Sequence, residues 1–102
     1  MSPTQRSLAL LRERGFVAQV VERWNPYARK RIDLFGCWDI CAVGNGEFVL
    51  VQCTSGSNVS SRVGKVADSS ITPELRKAGV RLFVHGWRKL KTGWAAREVD
   101  LS

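Results

Sequence analysis

The chain has 102 residues, of which 44% are hydrophobic and 25% are charged. This length fits one domain, residues 1–102, and the composition is that of an ordinary globular protein, which argues against disorder. Sixteen Lys and Arg residues stand against nine Asp and Glu residues, so the formal net charge is +7. A surplus of this size favours a polyanionic partner, nucleic acid above all, although it could also serve solubility alone.

The cysteines indicate the compartment. Cys37, Cys41 and Cys53 form no Cys-x-x-Cys pair and have no histidine pair nearby, which argues against structural zinc. Reduced cysteines in apolar strands pack as small hydrophobic residues, so we expect a reducing compartment, the cytoplasm. The sequence shows no signal-peptide pattern, and no apolar run approaches the ~18 residues of a membrane span. We therefore expect no membrane partner.

The first predicted elements are a helix and a strand. Ser2 is a capping residue followed by Pro3, and Gly15 is a typical helix stop, so we predict a helix over residues 4–14. Residues 16–24 are rich in valine and aromatic residues and predict a strand.

A basic loop and a β-hairpin come next. Asn25-Pro26 is expected to break the strand, so residues 25–36 are predicted to be a loop. Two apolar runs then flank the turn signal at residues 44–46, Gly-Asn-Gly, and predict hairpin strands over 38–44 and 47–53.

The second half of the chain predicts two short helices and two strands. The helices are expected over residues 60–67 and from Thr72, as the cap, to a stop at Gly79. The strands are expected over residues 80–84, continuing towards 87, and over 94–101 at a sheet edge. This order predicts an α/β fold, a single domain with a mixed central β-sheet flanked by helices, with a helical crossover after the hairpin.

Two polar residues lie at one end of the hairpin. Asp39 precedes its first apolar run and Gln52 follows the second, and an antiparallel hairpin brings these two positions together. A carboxylate and an amide oxygen can share a Mg²⁺ ion that keeps several waters. A bound water could then attack a phosphodiester. The alternative is that Asp39 caps a turn and Gln52 faces water.

Asp39, followed after twelve residues by Gln52-Cys53-Thr54 within this order of elements, resembles the PD-(D/E)XK nuclease superfamily. The resemblance is nearest to archaeal-type Holliday-junction resolvases and related small phage nucleases, whose motif is an Asp and then Glu-x-Lys. It implies a restriction-endonuclease-like fold with α-β-β-β-α-β topology and Mg²⁺- or Mn²⁺-dependent hydrolysis of DNA, including branched DNA. It also implies a prokaryotic or phage-encoded protein of the host cytoplasm, and the two-fold junction substrate implies a homodimer.

The sequence departs from that motif at two positions. Gln52 stands where the second acid would be, and Thr54 stands where the lysine would be. By this resemblance, the catalytic set would be Asp39, Gln52, Thr54 and Lys65, with Lys65 replacing the lost lysine from the next helix. The metal would be held by Asp39, Gln52, the Cys53 carbonyl and Asp33. Glu22 is a further substitute carboxylate, and both Asp33 and Glu22 could equally be plain surface charges.

Basic and aromatic residues are the candidates for nucleic-acid contacts. We expect the phosphate contacts to come from clustered basic residues: Arg29, Lys30, Arg31, Arg62, Arg88 and Lys89, with Lys65 beside them. Trp38 and Trp87 could stack on bases or pack in the core, whereas Trp24 and Trp94 are assigned to core or edge packing. His85 is expected to be a hydrogen-bonded structural histidine.

Three functions therefore stay open on sequence grounds. The first is a metal-dependent DNA endonuclease. The second is a catalytically inactive nucleic-acid-binding module on the same fold, which Gln52 and Thr54 favour. The third is a protein-binding or inhibitory factor whose basic face meets an acidic protein.

Overall fold

The computed structural model describes residues 1–102 as three α-helices, seven β-strands and one 3₁₀ turn. The elements are α1 (Pro3–Glu13), β1 (Val17–Val20), β2 (Arg23–Asn25), β3 (Lys30–Ile32), β4 (Ile40–Gly44), β5 (Glu47–Ser55), the 3₁₀ turn (Gly56–Asn58), α2 (Val59–Asp68), α3 (Thr72–Lys77), β6 (Arg81–Leu90) and β7 (Gly93–Asp100).

Five strands form one mixed sheet in the order β1-β4-β5-β6-β7. The neighbours β5 and β6 are parallel, and the chain crosses between them through α2 and α3. The other three pairs are antiparallel. The predicted α/β domain with a mixed sheet flanked by helices is therefore confirmed.

Successive side chains of each strand point to opposite faces of the sheet, and the apolar ones form one hydrophobic core on each face. Leu8 and Leu11 of α1 pack against Val49 and Val51 on one face. On the other face, α2 and α3 pack against the neighbouring strand residues. Asp39 and Gln52 are held in place by the sheet, because the Asp39 N–H donates to the Val51 carbonyl at 2.9 Å and Gln52 pairs with Val84 of β6.

Residues 23–32 form a separate antiparallel hairpin of β2 and β3, which we call the arm. The strand predicted over 16–24 is therefore interrupted at residues 21–22, and its last two residues belong to β2 of the arm rather than to the main sheet. The loop predicted over 25–36 is wrong because it contains β3. The cause is local. Val21 still donates to the Asp39 carbonyl at 2.8 Å, but the chain then leaves the sheet. The predicted break at Asn25 is the arm's turn, where the Asn25 side chain accepts from two backbone N–H groups.

Gly86 lets the start of α2 lie directly on β6. A Cβ atom at Gly86 would stand 2.1 Å from a methyl group of Val59, a distance that no side chain could tolerate. β6 continues to Leu90, beyond the predicted 80–84, because it pairs with β7 as far as Gly93. The edge position predicted for the last strand is confirmed.

The two predicted helix caps have different outcomes. The Ser2 hydroxyl accepts from the Gln5 backbone N–H at 3.2 Å, so the α1 cap is confirmed. The prediction that Thr72 caps α3 is wrong. Thr72 is the first residue of that helix, and its buried hydroxyl donates to the Val66 carbonyl at 2.6 Å. This bond fixes α3 to the end of α2.

Candidate metal centre

Asp39 and Gln52 lie side by side, as the hairpin register requires. Ile40 pairs with Val51, which places the preceding and following residues opposite each other at the sheet end. The Gln52 amide nitrogen donates to Asp39 Oδ2 at 3.0 Å, and the Cys53 backbone N–H donates to the same oxygen at 2.8 Å. Asp39 is 4% exposed and Gln52 is 2% exposed. The carboxylate is thus fixed by two donors on one oxygen.

The arm brings two further carboxylates to Asp39. Glu22 immediately precedes β2 and Asp33 immediately follows β3, so closing the hairpin places them together at its base. One oxygen from each of Glu22, Asp33 and Asp39 can be chosen such that all three lie within 4.8 Å of one another. The two substitute carboxylates considered from sequence therefore both lie beside Asp39.

Burial and the neighbouring acids make Asp39 hard to ionise. Loss of water contact is the main cause that raises the pKa of Asp39 to about 7, while the Cys53 backbone hydrogen bond opposes the rise. The negative charges of Asp33 and Glu22 raise the pKa further. A buried carboxyl group beside like charges holds its proton more tightly unless a cation neutralises those charges. The cluster is therefore suited to bind either a proton or a metal ion.

The acidic cluster fits a hard divalent cation. Carboxylate oxygens are preferred ligands of Mg²⁺ at 2.0–2.1 Å, so oxygens at adjacent octahedral positions are about 2.9 Å apart and those on opposite sides are about 4.2 Å apart. The three carboxylate oxygens lie within 4.8 Å of one another, so side-chain rotations that bring them closer together would let one ion contact all three. In addition, Gln52 Oε1 is buried without a hydrogen-bond partner. An unpartnered buried oxygen is costly, and a cation or its bound water would satisfy it.

The remaining predicted ligands occupy different environments. Gln52 presents its nitrogen rather than its oxygen to Asp39, so it orients the carboxylate in this arrangement. The Cys53 carbonyl is 3.4 Å from the same amide nitrogen. Thr54 is 5% exposed and pairs with Gly86 on β6, so its side chain is buried against one face of the sheet.

Lys65 approaches the cluster from α2. Its ammonium nitrogen is 3.8 Å from Asp33 Oδ2. Both residues line an open groove of about 310 Å³, whose walls are Lys30, Arg31, Ile32, Asp33, Gly36 and Lys65. The groove therefore joins the acidic cluster to basic residues of the arm and of α2.

The other basic candidates lie on three elements. Arg29, Lys30 and Arg31 are exposed on the arm, and Arg31 is 3.8 Å from Glu22. Arg62 lies one helical turn before Lys65. Arg88 and Lys89 are exposed near the C-terminal end of β6, and Arg88 packs beside Gly56. Because β5 and β6 are parallel, these residues lie at the sheet end that carries Gln52.

Among the aromatic residues, Trp38 follows the core-packing alternative and Trp24 departs from the sequence interpretation. Trp38 is completely buried, so base stacking by Trp38 is excluded and core packing is correct. Trp87 is half-buried and its indole N–H donates to Ser7 at 2.8 Å. Trp24, assigned to core or edge packing, is 58% exposed on the arm, and Tyr27 at the arm's tip is 97% exposed. Sequence analysis missed Tyr27 because no hairpin was predicted around it.

His85 is a structural histidine, as predicted. Its Nδ1 lies 3.0 Å from the Ser7 hydroxyl and its Nε2 lies 3.4 Å from Glu98, which Arg14 also binds. Burial lowers the pKa of His85 to about 4. Ser7 is fully buried, so this serine, histidine and glutamate do not form a nucleophilic site.

No helix has the length and apolar character that crossing a membrane would require. The chain matches no protein-family model, and a search of curated proteins found no match.

Proposed function

We propose that this protein is a metal-dependent endonuclease that hydrolyses phosphodiester bonds in DNA. The observation that carries the proposal is the meeting of Glu22, Asp33 and Asp39 beside Lys65 at a cationic sheet end. Acidic ligands for a divalent cation, a nearby ammonium group and phosphate-binding side chains are the parts that phosphodiester hydrolysis needs.

The path of the chain supports the proposal. Without the arm, the elements up to β6 run in α-β-β-β-α-α-β order, which is the α-β-β-β-α-β order expected of a restriction-endonuclease-like fold with one further helix, α3. In this interpretation, the arm is an insertion between the first two strands and β7 is an added edge strand. Asp39 precedes β4 and Gln52 lies in β5, where that family carries its two acids.

Each residue of the site has a defined part in the proposed reaction. Glu22, Asp33 and Asp39 would hold Mg²⁺ or Mn²⁺, which would supply an activated water and offset the developing negative charge. Gln52 and the Cys53 N–H keep the Asp39 carboxylate in one orientation. Lys65 would hold the scissile phosphate or orient the attacking water, and the arm's cations would hold flanking phosphates.

A nicking assay tests the proposal. We expect the wild-type protein to cleave supercoiled plasmid or a four-way DNA junction with Mg²⁺ or Mn²⁺ and to be inactive with EDTA. Asp39→Asn should abolish cleavage. Lys77→Met, on α3 away from the cluster, is the matched control and should cleave like the wild type, because its ion pair with Glu74 is exposed. Equal cleavage by Asp39→Asn would refute the proposal.

The second candidate is a nucleic-acid-binding module without catalysis. Gln52 and the buried Thr54 favour it, because an amide lacks the negative charge of an acid and a hydroxyl lacks the positive charge of a lysine. Salt-dependent DNA binding without metal-dependent cleavage would select this function. A homodimer would suit a two-fold junction, and the three free cysteines accord with a reducing compartment such as the cytoplasm.

A further inference from the structure

The arm is unusually exposed for an ordered hairpin. It pairs with no strand of the five-stranded sheet, and none of residues 23–32 is buried. Its tip is nevertheless defined. The Asn25 side chain accepts from the N–H groups of Tyr27 and Ala28 at 2.9 and 3.1 Å, and Arg29 has a left-handed backbone with φ of 51°.

The exposed aromatic residues of the arm do not stabilise the fold by burial. Tyr27 is 97% exposed and Trp24 is 58% exposed. Such side chains at the end of a two-stranded hairpin mark a contact surface, because aromatic residues combine a large contact area with few rotatable bonds.

The charge of the arm identifies the chemistry of the partner. Residues 23–32 contain four basic residues and no acidic residue, and the basic residues are Arg23, Arg29, Lys30 and Arg31. Cations beside exposed aromatic rings suit single-stranded nucleic acid, in which the rings stack on bases and the cations hold phosphates. Of these four, only Arg31 has an acidic neighbour in the chain, Glu22 at 3.8 Å, so an apolar protein partner would leave the other three charges without counterions.

We propose that the arm binds unpaired nucleotides of DNA next to the metal centre, with Tyr27 stacked on a base. The inference rests on the DNA-binding part of the proposed function, not on cleavage. Arg29 and Lys30 hold the adjoining phosphates. Paired bases in a continuous duplex offer no free face to Tyr27, so the arm distinguishes gapped, bulged or branched DNA from intact duplex.

The arm's length sets where the unpaired base must lie. Tyr27 is five positions after Glu22 in the chain, a separation that spans at most about 17 Å in an extended strand. DNA rises about 3.4 Å per nucleotide along one strand, so the reach corresponds to about five nucleotides. Trp24 lies between Glu22 and Tyr27 along the chain. Arg31 is 3.8 Å from Glu22, so the arm also contacts the acidic cluster through this side chain. Unpaired bases farther away than this are out of reach.

Binding in EDTA tests the arm without any cleavage. The probes are an intact duplex and the same duplex with a short gap. The gap contains an unpaired 2-aminopurine, a fluorescent base whose emission is quenched when it stacks. The variants are Tyr27→Ala, Tyr27→Phe and the control Phe48→Ala. Phe48 is 43% exposed near the start of β5, at the opposite sheet end. The melting temperatures of the two Tyr27 variants should match that of the wild type, because Tyr27 is not packed against the protein.

The expected result is tighter binding of gapped than of intact duplex, with 2-aminopurine quenching. Tyr27→Ala should weaken gapped-DNA binding about 5- to 150-fold, which is the range of affinity loss for one stacked base. The same variant should lose the quenching of 2-aminopurine. Tyr27→Phe and Phe48→Ala should keep both. Wild-type affinity of Tyr27→Ala for gapped DNA would overturn the inference. Tyr27-dependent binding without cleavage would instead refute only the nuclease activity, so the two failures can be told apart.

Discussion

Gln52 donates its side-chain amide to Asp39 Oδ2 at 3.0 Å, in a part of the protein that water barely reaches. The amide adds no negative charge, and Glu22 and Asp33 bring carboxylates from the base of the arm instead. The site therefore contains three acids, and two of them, Glu22 and Asp33, come from outside the β4–β5 hairpin.

Replacement of Gln52 by glutamate should make stability depend on metal. Gln52→Glu places a fourth carboxylate beside Asp39, so without metal we expect the free energy of unfolding to fall by on the order of 2 kcal/mol. A saturating divalent ion should reverse the loss. Urea unfolding with EDTA and with Mg²⁺ measures both quantities. Gln52→Met, which adds no charge, should show no metal-dependent recovery beyond that of the wild type.

Lys65 should matter for cleavage and little for folding. Its ion pair with Asp33 is 3.8 Å long and its side chain is 40% exposed, so Lys65→Met should change the free energy of unfolding by less than about 1 kcal/mol. If Lys65 serves the reaction, cleavage should fall about 10²-fold or more. Single-turnover cleavage at saturating protein measures the chemical step. Unchanged cleavage in Lys65→Met would remove Lys65 from the site.

Two buried groups should make opposite contributions to the pH dependence of stability without metal. Asp39 has a folded pKa of about 7 against 3.8 unfolded, so the folded state keeps a proton between these values and stability falls as pH rises. His85 has a folded pKa of about 4 against 6.5 unfolded, so the unfolded state binds the proton and stability rises with pH. In the wild type the two contributions largely cancel.

Single variants should separate these contributions. In Asp39→Asn, only the contribution of His85 remains. The free energy of unfolding of this variant should therefore increase as pH rises from 4 to 6.5, by at most about 3 kcal/mol more than that of the wild type. His85→Gln should show the opposite trend, a fall towards pH 7. Urea unfolding across this pH range, in EDTA, gives both profiles. Parallel profiles for the two variants would show that neither group titrates as described.

Gly86 should tolerate no side chain. A Cβ atom there would lie 2.1 Å from a methyl group of Val59, so α2 would have to move away from β6. We expect Gly86→Ala to destabilise the protein by about 1–3 kcal/mol, the usual range for overpacking. Thermal or urea unfolding measures this. The combined variant Gly86→Ala/Val59→Ala should recover part of the loss, and no recovery would contradict the proposed clash.

Regular elements with strong local signals could be predicted from the sequence. The capping serine, the glycine stop and Leu8 with Leu11 defined α1 to within one residue, because local hydrogen bonding and burial act in the same direction. The Gly-Asn-Gly turn fixed the β4–β5 register, and the register alone placed Asp39 beside Gln52.

The arm could not be predicted, because its strands have no hydrophobic alternation. Arg23 and Trp24 are exposed, and each three-residue strand is held mainly by pairing with the other. Asn25-Pro26 resembled a break between elements, although it begins a turn. Without that pairing, Glu22 and Asp33 are eleven positions apart in sequence, and nothing local brings them to Asp39.

A calorimetric titration of Mn²⁺ into the wild-type protein and Asp39→Asn most directly tests the claim that Glu22, Asp33 and Asp39 form a metal centre. We predict one ion per chain, proton release near neutral pH, and an affinity loss of more than about tenfold in the variant, since even outer-shell changes cost 10–100-fold. No binding by the wild-type protein, or equal affinity in Asp39→Asn, would contradict the claim.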